Sequence, residues 1–87
     1  ADLFITKFST GTSQVRMARL LFEMSKEEHS AWGPNLSRED MGDILGMSTE
    51  TASRIIADFK RRGLISEKNN KLIFNDLEGL EAITKEK

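Results

Sequence analysis

The 87-residue chain contains no cysteine and only one histidine, one proline and one tryptophan. The lack of cysteine excludes disulfides, thiolate metal ligands and thiol nucleophiles, and His29 alone cannot form a histidine-rich metal or catalytic cluster. No apolar run approaches the length of a membrane-spanning helix, and no basic segment followed by an apolar stretch marks a signal peptide. We therefore expect a cytoplasmic protein with no membrane partner. Because the first residue is Ala1 rather than methionine, we expect a processed product or a piece of a longer chain.

Positive charge is unevenly distributed along the chain. The net charge of −1, with 38% hydrophobic and 31% charged residues, indicates one small soluble domain without indicating a partner. Residues 54–71 nevertheless hold six cations and two acidic residues, Asp58 and Glu67. The six cations are Arg54, Lys60, Arg61, Arg62, Lys68 and Lys71. Such a cluster suits a polyanion, but most charge clusters are simply solvated faces, so charge alone leaves both interpretations open.

The N-terminal third of the chain predicts one amphipathic helix. In residues 1–8 apolar side chains fit both strand and helix spacing, so the structure of this segment stays open. Thr12 is the expected N-cap of a helix from Ser13 to about Glu28, which has a broad apolar face. A loop follows over residues 29–35, which include His29 and a Gly-Pro-Asn sequence.

A second helix is expected to begin after Ser37, with Asp40 completing an approximate capping box. Its apolar face consists of Met41, Ile44 and Leu45. Gly42 lies in the middle of this helix, where glycine costs about 1 kcal/mol against alanine, and a close helix crossing would explain its presence. Gly46 ends the helix, and Ser48 or Thr49 caps the next one.

The third helix, residues 49–62, has two opposite stripes at 100° per residue. The stripe expected to be buried consists of Ala52, Ile55, Ile56 and Phe59. The stripe expected to be exposed consists of Glu50, Ser53, Arg54, Ala57 and Arg61. Gly63 is the expected glycine just after the C-terminus, where the preceding basic residues complement the helix dipole.

The last part of the chain predicts a β-hairpin and a short helix. The strands are residues 64–68 and 71–75, joined by a two-residue turn at residues 69–70. Asp76 caps a final helix with Leu77, Leu80 and Ile83 directed inward. The predicted fold class is α+β and mostly helical, a winged helix-turn-helix with three helices, a β-hairpin wing and a short C-terminal helix. We expect residues 1–11 to be an N-terminal segment or hinge and residues 12–87 to be the winged-helix domain.

The expected exposed stripe of the third helix contains side-chain types that can read base edges in DNA. Glu50, Ser53 and Arg54 lie at i, i+3 and i+4 in the first two turns, the part of a recognition helix that enters the major groove. Arginine can contact guanine O6 and N7 with two hydrogen bonds, glutamate can accept from cytosine N4, and serine suits either kind of edge. The alternative is that Glu50 and Arg54 are an ordinary ion pair on a helix surface.

Residues 36–65 resemble the helix-turn-helix of the Crp/Fnr family of bacterial transcription regulators. The resemblance is carried by Leu36-Ser37-Arg38, Asp43-Ile44-Leu45-Gly46, Glu50-Thr51-Ala52-Ser53-Arg54 and Arg61-Arg62-Gly63-Leu64-Ile65. It implies that Glu50, Ser53 and Arg54 read bases. The residues expected to contact phosphate are Ser37, Arg38, Ser48, Thr51, Lys68 and Lys71. The two lysines are included because they flank the tip of the predicted hairpin. Thr49 and Ser53 resemble the Fnr-like reading head, which implies a TTGA-like half-site repeated as an inverted pair.

The resemblance also implies the partners. Double-stranded DNA is the expected partner of this domain. The full-length regulator is expected to be a homodimer with an N-terminal sensor domain, and RNA polymerase is its expected partner. The resemblance implies that residues 1–11 are a remnant of the family's dimerisation helix, and we expect the fragment to be a monomer or a weak dimer. No cofactor is expected in this domain, and these residues do not identify the effector of the sensor. We expect no enzyme activity, because the sequence shows no set of residues typical of a catalytic site. The alternative function is a winged-helix module for protein–protein contact without DNA binding.

Overall fold

The computed structural model describes residues 11–26, 37–68 and 71–86. In chain order the elements are α1 (Ser13–Lys26), α2 (Arg38–Leu45), α3 (Thr49–Arg61), β1 (Ile65–Lys68), β2 (Lys71–Phe74) and α4 (Leu77–Thr84). This order confirms the predicted winged helix-turn-helix. The predictions for residues 1–10, the loop at residues 29–35 and the turn at residues 69–70 lie outside the described residues. None of the helices in the described part has the length and apolarity needed to span a membrane.

Short polar side chains begin the helices at the predicted positions. Thr12 Oγ1 accepts a hydrogen bond from the Val15 amide at 3.2 Å at the start of α1. Ser37 and Asp40 form a complete capping box at the start of α2. Asp76 accepts from the Gly79 amide at the start of α4. These contacts satisfy amide groups that have no partner inside the helix, which is why the helices begin where the sequence predicts.

The core is formed mainly by α1 packed against α4 and by α2 packed against α3. The largest fully buried side chains are Phe59, Met17, Leu20, Leu21, Met41, Leu45, Ile56, Ile65, Leu80 and Val15. The predicted inward position of Leu77 is wrong, because this side chain is 42% exposed. On a helix Leu80 and Ile83 lie about 60° apart, and Leu77 lies a further 60° or so to the side, away from the packed face.

The turn between α2 and α3 folds back onto Gly42. The Met47 amide donates to the Gly42 carbonyl at 2.9 Å, and Gly46 adopts a left-handed conformation with φ 70°. A Cβ at Gly42 would lie 2.6 Å from the Met47 carbonyl oxygen. The glycine is therefore required by the backbone of the turn, and the predicted explanation, a close helix crossing, is wrong.

Arg16 connects α1 to the end of α2. Its Nη1 donates to the Leu45 carbonyl at 2.6 Å, and its Nη2 donates to Ser13 Oγ at 3.3 Å. Helix α2 has no basic residue in its last turn. The Arg16 guanidinium thus brings positive charge from another helix to the negative end of the α2 dipole.

The wing is a two-stranded antiparallel hairpin in which Ile65 pairs with Phe74 and Lys68 pairs with Lys71. Each strand is one residue shorter than predicted. Leu64 belongs to the C-terminal turn of α3, since its amide donates to the Phe59 carbonyl at 3.1 Å after Gly63 at φ 76°. The wing therefore follows α3 directly, without a linker.

Candidate nucleic-acid interface

Helix α3 presents its polar stripe away from the core. Ala52, Ile55, Ile56 and Phe59 are all at most 5% exposed, which confirms the predicted buried stripe. The five residues of the predicted exposed stripe, Glu50, Ser53, Arg54, Ala57 and Arg61, are all exposed. Packing against α2 fixes the helix by one face and leaves the opposite face accessible along its whole length.

Glu50 and Arg54 are paired across one turn of α3. Arg54 Nη2 donates to Glu50 Oε1 at 3.1 Å, and the side chains are 72% and 84% exposed for Arg54 and Glu50. A pair this exposed contributes a few tenths of a kcal/mol at most, because water and salt screen it. Either side chain can therefore leave this ion pair and bind another partner at little cost in free energy.

The hydroxyl groups expected to contact phosphate serve as helix caps. Ser37 Oγ accepts from the Asp40 amide at 3.0 Å at the start of α2. Ser48 Oγ accepts from the Thr51 amide at 3.1 Å and donates to Thr51 Oγ1 at 2.9 Å at the start of α3. These caps fix the N-terminal turns of two helices whose positive dipole ends suit an anion.

The wing tip carries Lys68 and Lys71 opposite each other in the hairpin register. Both residues are exposed. Within the described ranges, the other four cations of the basic segment all have a carboxylate partner, whereas no ion pair involves either wing lysine. Two ammonium groups at the end of a short hairpin are therefore accessible to an external anion.

Glu67 links three elements around the predicted phosphate contact Arg38. Its Oε1 accepts from Arg38 Nη2 at 2.7 Å and also from Lys60 Nζ. The hydrogen bond from Lys60, followed by the charge and hydrogen bond of Arg38, holds the pKa of the Glu67 carboxyl below its ordinary value, although partial burial acts in the opposite direction. The first helix of the motif, the end of α3 and strand β1 thus meet at one carboxylate.

Sequence reasoning did not predict the contacts that Glu67 and Arg16 make with distant elements. Glu67 is 29 residues from Arg38, and Arg16 is equally far from Leu45, so no helical or strand spacing connects either pair. The signal available in the sequence was only that Glu67 is one of two acidic residues inside a basic segment. No group of three or more potential metal ligands occurs among residues 11–26, 37–68 and 71–86.

Known proteins that are similar to this chain include bacterial transcription regulators. The family model for the Crp-like helix-turn-helix domain matches residues 15–83. An anaerobic regulatory protein of Haemophilus influenzae is 32% identical over 92% of this chain and 34% of its own length. A transcriptional regulatory protein of Bordetella pertussis is 33% identical over 82% of this chain and 32% of its own length.

The crystal structure of a CRP-family transcriptional regulator from Thermus thermophilus shares the fold, with a TM-score of 0.83 at 24% identity, over 98% of this chain and 46% of that one. The chain thus spans about a third of the length of the curated relatives it matches.

Proposed function

The chain belongs to the Crp/Fnr family, whose Crp-like helix-turn-helix domain it contains, and from this premise we propose that it binds double-stranded DNA sequence-specifically to regulate transcription. Helix α3 lies in the major groove of a TTGA-like half-site in this proposal. The observation that carries it is the accessible stripe of Glu50, Ser53 and Arg54 in the first two turns of α3, opposite a fully packed apolar stripe. These side chains read base edges, because the N-terminal half of a recognition helix is the part that reaches them.

Groups around α3 hold the DNA backbone in this proposal. Ser37 and Arg38 at the start of α2, Ser48 and Thr51 at the start of α3, and the two wing lysines contact phosphates. The caps of α2 and α3 support this role, since they fix helix N-termini whose dipoles favour negative charge. Contacts to phosphate position the helix in the groove and carry no sequence information themselves.

A titration of labelled duplexes tests the proposed function. Fluorescence anisotropy is measured for one duplex with an inverted pair of TTGA half-sites and for one with the same bases in scrambled order, at several salt concentrations. We expect tighter binding to the first duplex and a linear fall of log affinity with log salt for both. Absence of salt-dependent binding to either duplex would contradict the proposal and favour the alternative, a winged helix that contacts another protein.

Replacement of Lys68 or Lys71 by alanine is expected to weaken binding to both duplexes alike. Each lysine reaches a phosphate from the wing tip, where no base-reading geometry is available. The slope of log affinity against log salt should become shallower by about 0.9 for each phosphate that the variant no longer neutralises.

The control for the wing lysines is Lys85→Ala, which removes one exposed lysine after the end of α4 and changes the net charge equally. This control should leave the salt slope unchanged. An unchanged slope in Lys68→Ala and Lys71→Ala as well would show that the wing lysines are merely solvated.

We also propose that the longer regulator is a homodimer that places two of these domains on an inverted repeat and contacts RNA polymerase. Palindromic sites require two recognition helices about 34 Å apart. In this proposal residues 1–11 are the segment or hinge before the winged-helix domain at residues 12–87. Sedimentation equilibrium at tens of micromolar should find the 87-residue chain monomeric or weakly associated. A tight dimer would mean that the chain itself holds the interface.

A further inference from the structure

We propose that Glu67 attenuates binding of the DNA backbone by occupying the donor groups of Arg38 and Lys60 that a phosphate would otherwise use. The inference rests on the proposed DNA binding and adds a residue that limits its strength. It makes Glu67 an internal competitor of phosphate at the junction of α2, α3 and the wing.

The geometry of the cluster resembles that of a bound anion. One carboxylate oxygen, Glu67 Oε1, accepts hydrogen bonds from an arginine and from a lysine on two different helices. Phosphate oxygens are bound by the same two side-chain types through the same charge-assisted hydrogen bonds. The carboxylate therefore satisfies the donor groups that an incoming phosphate needs.

The cluster is accessible enough for exchange. The side chains of Arg38, Lys60 and Glu67 are 26%, 38% and 28% exposed. Ion pairs that water reaches contribute little to stability, so a phosphate can replace the carboxylate without unfolding the domain. The wild-type chain must still break these contacts before Arg38 or Lys60 can bind a phosphate fully, and the Glu67 charge itself repels the DNA backbone.

Glu67 differs from the other acidic residue of the basic segment. Asp58 pairs with Arg61 in the last turn of α3 and with Arg62, the C-cap residue that follows it, so both partners lie within four residues along the chain. The contact between Glu67 and Arg38 instead joins the wing to the start of α2, where the proposed phosphate contacts Ser37 and Arg38 lie. A change at Glu67 therefore acts directly on the proposed backbone interface.

Glu67→Gln is the variant that tests the inference. Glutamine keeps the side-chain shape and an oxygen that can accept from Lys60 or Arg38, but it carries no charge. We expect affinity for both the TTGA duplex and the scrambled duplex to rise about two- to fivefold, the fold-change that corresponds to an exposed ion pair. The salt slope should become steeper by about 0.9 if one more phosphate is neutralised. A variant that folds poorly would lose affinity, so a gain cannot arise from damage to the fold.

Three controls separate the possible causes. Glu78→Gln in the first turn of α4 changes the net charge equally and should have a smaller effect on binding. In an Arg38→Ala background, Glu67→Gln should give less than its full gain, because one of the released donors is missing. Glu67→Ala, with folding checked by circular dichroism, should give a gain in the same direction as Glu67→Gln.

The outcomes distinguish failure of the inference from failure of the proposed function. If the wild-type chain binds DNA and a folded Glu67→Gln variant binds equally or more weakly, Glu67 does not compete with phosphate and the inference is wrong. The same holds if Glu78→Gln gives an equal gain. If neither the wild type nor Glu67→Gln binds either duplex, the proposed DNA binding itself fails.

Discussion

Replacement of Arg54 by alanine is expected to cost about 1–3 kcal/mol of binding free energy on the TTGA duplex and much less on scrambled DNA. Arg54 is the one cation on the exposed stripe within the first two turns of α3. Its side chain is 72% exposed and pairs with Glu50 at 3.1 Å, and its guanidinium can form two hydrogen bonds to a guanine edge. Anisotropy titrations on both duplexes at one fixed salt concentration measure the difference.

Two variants control the Arg54 experiment. Arg54→Lys keeps the charge but lacks the planar fork, so it should lose discrimination while keeping most affinity for scrambled DNA. Arg61→Ala removes another arginine of the same stripe, 78% exposed and paired with Asp58, from the last turn of the helix. Its smaller loss should be the same on both duplexes. Equal losses on both duplexes for Arg54→Ala would instead make Arg54 a phosphate contact.

Glu50 must be considered together with Arg54. Removal of the arginine takes away the ion-pair partner of the Glu50 carboxylate on the surface proposed to face DNA, and part of the measured decrease in affinity would then be repulsion. A double-mutant cycle with Glu50→Ala separates this repulsion from the removal of the arginine's own hydrogen bonds to DNA. The loss of discrimination between the duplexes when Arg54→Ala is added to Glu50→Ala is the part that Arg54 contributes by reading bases.

Local sequence patterns were sufficient to predict the elements and the faces of α3. Helical periodicity separated Phe59 and Ile56 from Glu50 and Arg54 because one side of a recognition helix packs while the other stays polar. Caps such as Ser37 were predictable because a short polar side chain satisfies amides only two or three residues away. For the same reason, the reading stripe could be predicted as an exposed surface before any tertiary contact was known.

Tertiary contacts were not predictable in this way. Arg16 reaches the Leu45 carbonyl and Glu67 reaches Arg38 only after distant elements have packed. Leu77 followed the apolar pattern of α4, but its position beside the packed stripe depends on how the helix is rotated against α1. The roles of Glu50, Ser53 and Arg54 in base reading stay predictions, since they depend on a DNA partner.

Replacement of Gly42 by alanine is expected to lower the free energy of unfolding by up to about 2 kcal/mol and to weaken DNA binding. Alanine favours a helix by about 1 kcal/mol over glycine, but overpacking costs about 1–3 kcal/mol. Here the new Cβ would lie 2.6 Å from the Met47 carbonyl oxygen, and backbone cannot rotate aside as a side chain can. The turn that must shift also holds Ser48, whose hydroxyl caps α3, so the start of the reading stripe moves with it. Urea denaturation followed by circular dichroism gives the stability, and anisotropy under folding conditions gives the affinity.

Gly63→Ala is the matched control, because it places a methyl group at a helix C-terminus with nothing within 4 Å. Its cost arises only from the left-handed backbone at φ 76° and should be about 1 kcal/mol, with the cap at Ser48 unchanged. Gly42 has no such backbone requirement, so its net cost is that of the contact with the turn less the helix propensity that alanine gains. If Gly42→Ala instead stabilises the domain by about 1 kcal/mol, the turn yields to the methyl group and helix propensity dominates. In that case the position of Ser48 relative to α2 is adjustable. Gly42 then does not fix the spacing between the proposed phosphate contacts of α2 and the reading stripe of α3.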